Sequence, residues 1–337
     1  MTPFGLELST FVVALATSVF ATPLVRRIAL KLGIVALPGG RNAHTAPTAR
    51  CGGIAVYLGF IFALFVVMGI ALAGSAKIWD RLVIRELVGL LFGGTLIFLI
   101  GIWDDAMDLP AKKKLLGQSA VAIASMLYGF VIPGISNPFA HNQWIAFPLW
   151  LGVPLTLFWY LGMMNAMNFI DGLDGLLAGI TAIAGTCLYL IALVKGHALV
   201  ALLMAALVGG SLGFLPYNFN PAKIFLGDSG SLFIGYVFAT VSIVGVSKLA
   251  ISISLIVPLV VLALPVFDTA AAIFRRWRRG QHLFAADRGH VHHVLVFEYG
   301  LGVRQAVILL YAVCFALGLA AFFISGGPQA LAHHVRL

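Results

Sequence analysis

The stretch GGIAVYLGFIFALFVVMGIALAG, residues 52–74, contains no charged side chain. About 20 apolar residues in a row are enough to cross a bilayer as a helix. FVVALATSVFATPL and AVILLYAVCFALGLAAFFI repeat the pattern near the two ends of the chain. Hydropathy defines about ten such spans, near residues 4–24, 53–73, 86–103, 115–133, 144–162, 175–194, 198–215, 231–247, 250–270 and 304–325. Only 10% of residues are charged, against roughly a quarter in soluble domains. The reading is an all-α, polytopic transmembrane helical bundle forming one domain over 1–337. No loop is long enough to bury a core of its own. The first apolar segment lacks a basic leader and a small-residue cleavage site, so it reads as a span and not as a signal peptide.

Fifteen of the 21 Lys and Arg residues fall on one side of this topology. The positive-inside rule makes that side cytoplasmic and puts both termini outside. The same rule accounts for the net charge of +9 without nucleic acid. Nine of the twelve Asp and Glu residues also lie on or near the cytoplasmic side. Acids contribute little to topology, so a cytoplasmic active site is the better explanation. Cys51, Cys187 and Cys314 suggest inert packing, not a disulfide framework.

Four polar motifs interrupt the apolar chain. In NAMNFIDGLDGLLAG (165–179), Asn165, Asn168, Asp171 and Asp174 recur every third residue beside glycines. Unsatisfied amides and carboxylates in lipid are costly, so these groups must face protein, water or an ion. Interhelical hydrogen bonds are the simple explanation; a ligand site explains all four together with the glycines. GIWDDAMDLPAKKKLLGQ (101–118) pairs Asp104 with Asp105, and adjacent carboxylates repel unless a cation or proton lies between them. Such hard oxygens suit Mg²⁺ bound jointly with substrate phosphates. The alternative is a solvated turn balanced by Lys112–Lys114. NFNPAKIFLGDSGSLFIGY opens on Asn218 and sets Asp228 at the start of a span, where helix N–H groups favour phosphate. RRWRRGQHLFAADRGHVHHVL (275–295) offers Asp287, Arg288, His290, His292 and His293, which suit a polyphosphate better than a structural zinc. Its four leading arginines read first as an interfacial anchor. RNAHTAPTARCGG adds His44 and Arg50.

Together these motifs suggest a phosphorylated substrate handled at one membrane face. In this order they resemble the polyprenyl-phosphate N-acetylhexosamine-1-phosphate transferases, the family that includes the UDP-GlcNAc:undecaprenyl-phosphate enzymes and the translocase MraY. The resemblance runs from about Arg41 to His293. DRGHVHH is similar to the His-x-His-His motif of the GlcNAc-1-phosphate branch and differs from the His-His-His-Phe-Glu pattern of MraY. Ala286, where that branch usually has proline, and Asn42, where lysine often follows the arginine, depart from the pattern.

The resemblance implies that polyprenyl phosphate attacks the sugar-proximal phosphorus of UDP-GlcNAc at the inner membrane and releases UMP. It implies Mg²⁺, with Mn²⁺ as a substitute, held by Asp228 and Asn168. Asp104, Asp105, Asp228 and His290 become the catalytic set. Phe225 stacks on uracil, and Asp171 and Asp174 hold the nucleotide. Arg288, His292 and His293 contact diphosphate or sugar. Asn165, Asn218, Arg50 and His44 complete substrate binding. A phosphate monoester has a second pKa of about 6, so the acceptor is already mostly a dianion and hardly needs a strong base. Positioning is the larger contribution expected of Asp104 and Asp105. Direct transfer and a route through an aspartyl-phosphate both stay open, and a homodimer is compatible with either. Other UDP-N-acetylhexosamines and UDP-MurNAc-pentapeptide are alternative donors. A transporter would place its acids near the bilayer midplane, and a silent scaffold would not need all four motifs.

Overall fold

The computed structural model describes residues 3–36, 47–73, 81–137, 143–248, 256–278, 280 and 289–327. Eight of its helices are long and apolar enough to cross a membrane. They belong to α1 (Pro3–Leu32), α2 (Gly53–Ala73), α3 (Arg81–Met107), α5 (Leu149–Ile170), α6 (Leu176–Val194), α7 (Ala198–Asn218), α8 (Gly227–Lys248) and α12 (Val303–Ile324). The chain is a polytopic helical membrane protein.

Two of the ten expected spans take a different form. The span at 115–133 is α4 (Ala111–Leu127), 17 residues long with Lys112–Lys114 in its first turn. The span at 250–270 reaches into residues outside the description, and its described part breaks at Leu262 between α9 (Ile256–Val261) and α10 (Ala263–Arg278). Two short antiparallel ribbons qualify the all-α expectation: β1 (Val35–Ala36) with β2 (Thr48–Ala49), and β3 (Gly134–Asn137) with β4 (Gln143–Ala146). They occupy the α1–α2 and α4–α5 connections, where a turning chain must satisfy its own N–H and C=O groups.

α7 and α8 are the most enclosed spans, and α1 and α12 the most exposed. Apolar side chains cover these helices all round because each face meets either protein or lipid. Polar groups inside the bundle find partners across helices. Ser125 Oγ lies 2.9 Å from Tyr236 Oη, and Tyr160 Oη lies 3.0 Å from Thr240 Oγ1. All three cysteines are buried and free.

The position of α8 decides the site. It can approach α3 because Gly101 has no side chain: a Cβ there would come within 2.5 Å of Ser229 Cα. Gly227, with φ at +75°, turns the chain into α8 where a Cβ would strike the Asp105 carboxylate at 2.5 Å.

Candidate active site

A cavity of about 610 Å³ opens at one end of the bundle. It is lined from the C-terminal ends of α3 and α7, the α5–α6 turn, the start of α8 and the segment before α12. Five of the expected acids, Asp104, Asp105, Asp171, Asp174 and Asp228, line it together with Arg50, Asn218, Phe225 and His293. Chain segments more than 200 residues apart, from Arg50 to His293, are thus gathered at one end, as the clustering of acids suggested.

Against two of these carboxylates lies a residue the sequence reading had treated only as balancing charge. Lys114 Nζ donates to Asp228 Oδ2, lies 2.8 Å from Asp104 Oδ2 and donates to Asn168 Oδ1 at 3.3 Å. Asn168 Nδ2 donates in turn to Asp228 Oδ1 at 2.8 Å and to Ser231 Oγ at 2.9 Å. Lys112 and Lys113 are exposed, whereas Lys114 is turned inward. One signal for it was available: three consecutive lysines opening a helix cannot all face the same way, because successive residues turn by about 100°.

Asp105 is fully engaged. Its Oδ1 accepts the Asp228 N–H at 2.8 Å, and its Oδ2 accepts the Ser229 N–H at 3.0 Å and the Ser229 hydroxyl at 2.6 Å. It caps the first turn of α8 from a neighbouring helix and compensates the positive end of that helix. Ser229 therefore bonds to Asp105 instead of capping its own helix. Asp104 Oδ1 accepts the Leu109 N–H at 2.6 Å and shapes the turn that leads to α4. Arg50 pairs with Asp108 at 2.9 Å on the exposed rim.

The DGLDG turn divides its polar groups between ligand cavity and scaffold. Asp174 Oδ2 accepts the Asn220 amide at 2.9 Å and the Ala222 N–H at 3.0 Å, fixing the loop that carries the cis Asn220–Pro221 bond. Asn218 spends both ends on backbone: its Oδ1 accepts the Gly175 N–H at 3.1 Å and its Nδ2 donates to the Ile224 carbonyl at 3.0 Å. Asn165 is not on the cavity wall. Its Nδ2 bridges to Gln118 Oε1 at 2.7 Å on α4 and to the Leu161 carbonyl at 2.8 Å. For this asparagine the observed contact is the interhelical hydrogen bond, because its place on α5 faces α4 and not the cavity.

Burial and the nearby carboxylates of Asp105 and Asp174 push the Asp171 carboxyl up to about 8. The unfolded chain releases that proton near the ordinary aspartate value of 3.8, while the folded chain holds it to about 8. Metal-free protein therefore loses stability as pH rises between those values. Thermal melts in EDTA from pH 5 to 9 are expected to show this decline in wild type and a flatter profile in Asp171→Asn. Parallel profiles would remove Asp171 from the crowded carboxylate group.

The histidines form a stacked cluster, with ring centroids 5.7 Å apart for His290 and His292 and 4.3 Å for His292 and His293. His290 Nδ1 lies 2.7 Å from Asp268 Oδ2, and the Val291 N–H donates to Asp268 Oδ1 at 2.9 Å. Asp268, an acid inside the apolar run LALPVFDTAAAIF, was passed over as a partner. Its position there was the signal, since a buried carboxylate needs one. His292 is buried against the turn, and Gly172 leaves room for its Nε2 by lacking a side chain. Burial and the neighbouring His293 push its imidazole down to about 3, which favours the neutral ring and a hydrogen bond over an ionic contact to diphosphate or sugar.

Arg276 also departs from expectation. The sequence reading made Arg275–Arg279 an interfacial anchor, but Arg276 is buried with its guanidinium 5.6 Å from the Phe169 ring centroid. Phe169 in turn packs on His290. The helix buries Arg276, leaves Arg275 half-buried and exposes Arg278, a division set by rotation about α10. His44 and Arg288 lie outside the described residues.

Among the described residues, no group of three or more His, Cys, Asp or Glu side chains is arranged to hold a metal. The oxygens of Asp104, Asp228 and Asn168 nevertheless converge on a single positive charge, the Lys114 ammonium. Two carboxylates and an amide oxygen, completed by substrate phosphates, fit the habits of Mg²⁺.

The fold and site are those of a multispanning membrane protein with an acid-lined cavity at one end of its helices, two of whose carboxylates pair with a lysine. The glycosyl transferase family 4 profile matches residues 87–246, the stretch that carries α3 to α8. A Bacillus subtilis protein named as a probable undecaprenyl-phosphate N-acetylglucosaminyl 1-phosphate transferase is 38% identical over 93% of this chain and 84% of its own length. A Mycobacterium tuberculosis decaprenyl-phosphate N-acetylglucosaminephosphotransferase is 33% identical over 90% of this chain and 80% of its own. The Escherichia coli undecaprenyl-phosphate alpha-N-acetylglucosaminyl 1-phosphate transferase is 30% identical over 85% and 75%. The chain belongs to glycosyl transferase family 4.

Proposed function

We propose that the chain transfers GlcNAc-1-phosphate from UDP-GlcNAc to a polyprenyl phosphate, with Mg²⁺, at the cytoplasmic face of the cell membrane. The observation that carries the reading is the convergence of Asp104, Asn168 and Asp228 on Lys114 in a chain 38% identical to a relative so named. An oxygen of the lipid phosphate forms a bond to the sugar-proximal phosphorus of the donor. The bond from that phosphorus to the bridging oxygen breaks, and UMP leaves with the electron pair.

Asp228 and Asn168, with Asp104 beside them, would hold Mg²⁺, which supplies charge neutralisation on the diphosphate. Lys114, which now contacts the same three oxygens, would have to turn away from them as the ion enters, and could then meet the substrate phosphates. The first-turn N–H groups of Asp228 and Ser229 are already taken by Asp105, so α8 is locked in place and not itself a phosphate cradle. Phosphoryl transfer depends chiefly on positioning and electrostatic stabilisation, which a rigid cluster of this kind supplies. Asp105, with its oxygens saturated by three donors, is a positioning residue and not a general base. Phe225 on the cavity wall offers an apolar face for uracil.

The helix ends support a site confined to one membrane face, and the excess of Lys and Arg on that side is what makes it cytoplasmic in this reading. α3, α5 and α7 end at the cavity, and α6, α8 and α12 begin there. That alternation accords with ten crossings and both termini outside.

The test is UMP release by purified protein given polyprenyl phosphate and UDP-GlcNAc. Release is expected only when lipid and Mg²⁺ are both present, and EDTA is expected to stop it. Release from UDP-MurNAc-pentapeptide but not from UDP-GlcNAc would change the donor. Inertness toward every UDP-sugar would end the transferase reading.

A further inference from the structure

α12 begins at the cavity, where Val303 is part of the wall, but it carries none of the four motifs that marked the site. It lies beyond the matched stretch 87–246 and beyond the resemblance, which ends at His293. Two of its side chains nevertheless reach the loops that bear cavity carboxylates. Arg304 Nε donates to the Asn220 carbonyl at 2.8 Å, and Tyr311 Oη donates to the Gly175 carbonyl at 2.5 Å. The two residues are about two turns apart, so they share one face of the helix and stand roughly 10 Å from each other along it.

Both contacts act on the same unit. Gly175 directly follows Asp174, precedes α6 in the left-handed region at φ +81° and has no side-chain cap. A glycine there is the freest point of the turn, because without a Cβ it adopts either sign of φ at little cost. Two bonds pin it: its N–H donates to Asn218 Oδ1 at 3.1 Å, and its carbonyl accepts the Tyr311 hydroxyl. Gly179, one turn on, lacks the side chain that would overlap the Tyr311 ring, so the ring lies against α6. Arg304 secures the other half, since it holds Asn220, whose amide donates to Asp174 Oδ2. An arginine in the first turn of a helix opposes the helix dipole, so the stability of α12 itself does not account for its place. Neither Arg304 nor Tyr311 is on the cavity wall. Each acts through the turn.

We propose that Tyr311 and Arg304 on α12 are positioning residues that set the direction of Asp171 and Asp174 toward the nucleotide donor. The assignment rests on the transferase reading, which makes the DGLDG turn the seat of the nucleotide. Use of the donor then depends on α12, and use of the acceptor does not.

Tyr311→Phe removes only the hydroxyl. The Gly175 carbonyl keeps the Gly179 N–H at 3.0 Å, so it is not left unsatisfied and the melting temperature should stay near that of wild type. In the full-length protein the KM for UDP-GlcNAc is expected to rise about tenfold, with the KM for undecaprenyl phosphate unchanged. UMP binding, followed by calorimetry without lipid, should weaken by a similar factor. Arg304→Leu should move the same two quantities in the same direction, and Arg304→Gln, which keeps a donor, should move them less. An unchanged donor KM and UMP affinity in Tyr311→Phe overturns the proposal. A rise in both KM values with a lower melting temperature would mean general packing, and a fall in kcat alone would place the hydroxyl in the chemical step; either also overturns it. A wild type that neither binds UMP nor releases it from any UDP-sugar fails one step earlier, at the transferase reading. A wild type that does both, matched in every constant by Tyr311→Phe, leaves that reading standing and removes only the role of α12.

Discussion

Asp228→Ala is expected to abolish lipid-dependent UMP release, by about a thousandfold, the upper range for deleting one preorganised electrostatic group. The side chain is the meeting point of the cluster: Oδ2 receives Lys114 and Oδ1 receives Asn168. Removing it leaves Lys114 tied to Asp104 alone among the carboxylates and deprives Mg²⁺ of its proposed principal ligand. Asp228→Asn keeps the shape and one acceptor oxygen but loses the charge, so it should fall nearly as far. Because the Asp228 side chain is partly exposed, both variants should melt near the wild-type temperature. Activity near wild type in Asp228→Ala would remove the residue from the reaction and with it the metal assignment.

Asp105→Ala should cost at least about a hundredfold in activity, through position and not through proton transfer. Its carboxylate joins α3 to α8 by three accepted hydrogen bonds. Truncation leaves buried donors unsatisfied, at about 1–3 kcal/mol each, and frees the first helical turn that carries Asp228. A lower melting temperature should accompany the lost activity. Asp105→Asn retains one acceptor and should be intermediate in both. If the role is to fix Asp228, the Asn variant should also need more Mg²⁺ for half-maximal rate. Intact stability and Mg²⁺ demand, with a shifted pH–rate profile, would instead make Asp105 a proton acceptor.

Much of the site was legible in the chain because polar residues in a membrane sequence are conspicuous. Asp104, Asp105, Asp171, Asp174, Asp228 and Phe225 all reach one cavity, as their motifs suggested. Side-chain direction was harder to read. Asn165 and Asn168 share a motif and a helix, yet Asn165 braces α4 while Asn168 meets Asp228. Three positions amount to nearly a full turn less about 60°, enough to send two amides to different neighbours. Lys114 and Arg276 were hidden inside basic runs, where each residue looks the same until packing turns one of them inward.

By itself the sequence determined the class of structure and the end of the bundle where its acids gather. The cost of unpaired polar groups in hydrocarbon writes spans and their interruptions locally along the chain. Tertiary structure decided the partnerships. Lys114 meets Asp228 across 114 residues, Asp105 caps α8 across 123, and His290 finds Asp268 across 22. None of these pairs falls on a common helical period. They exist because glycines such as Gly101 and Gly172 let backbones and rings approach closely enough for the side chains to meet, a fact about packed surfaces that no local pattern encodes.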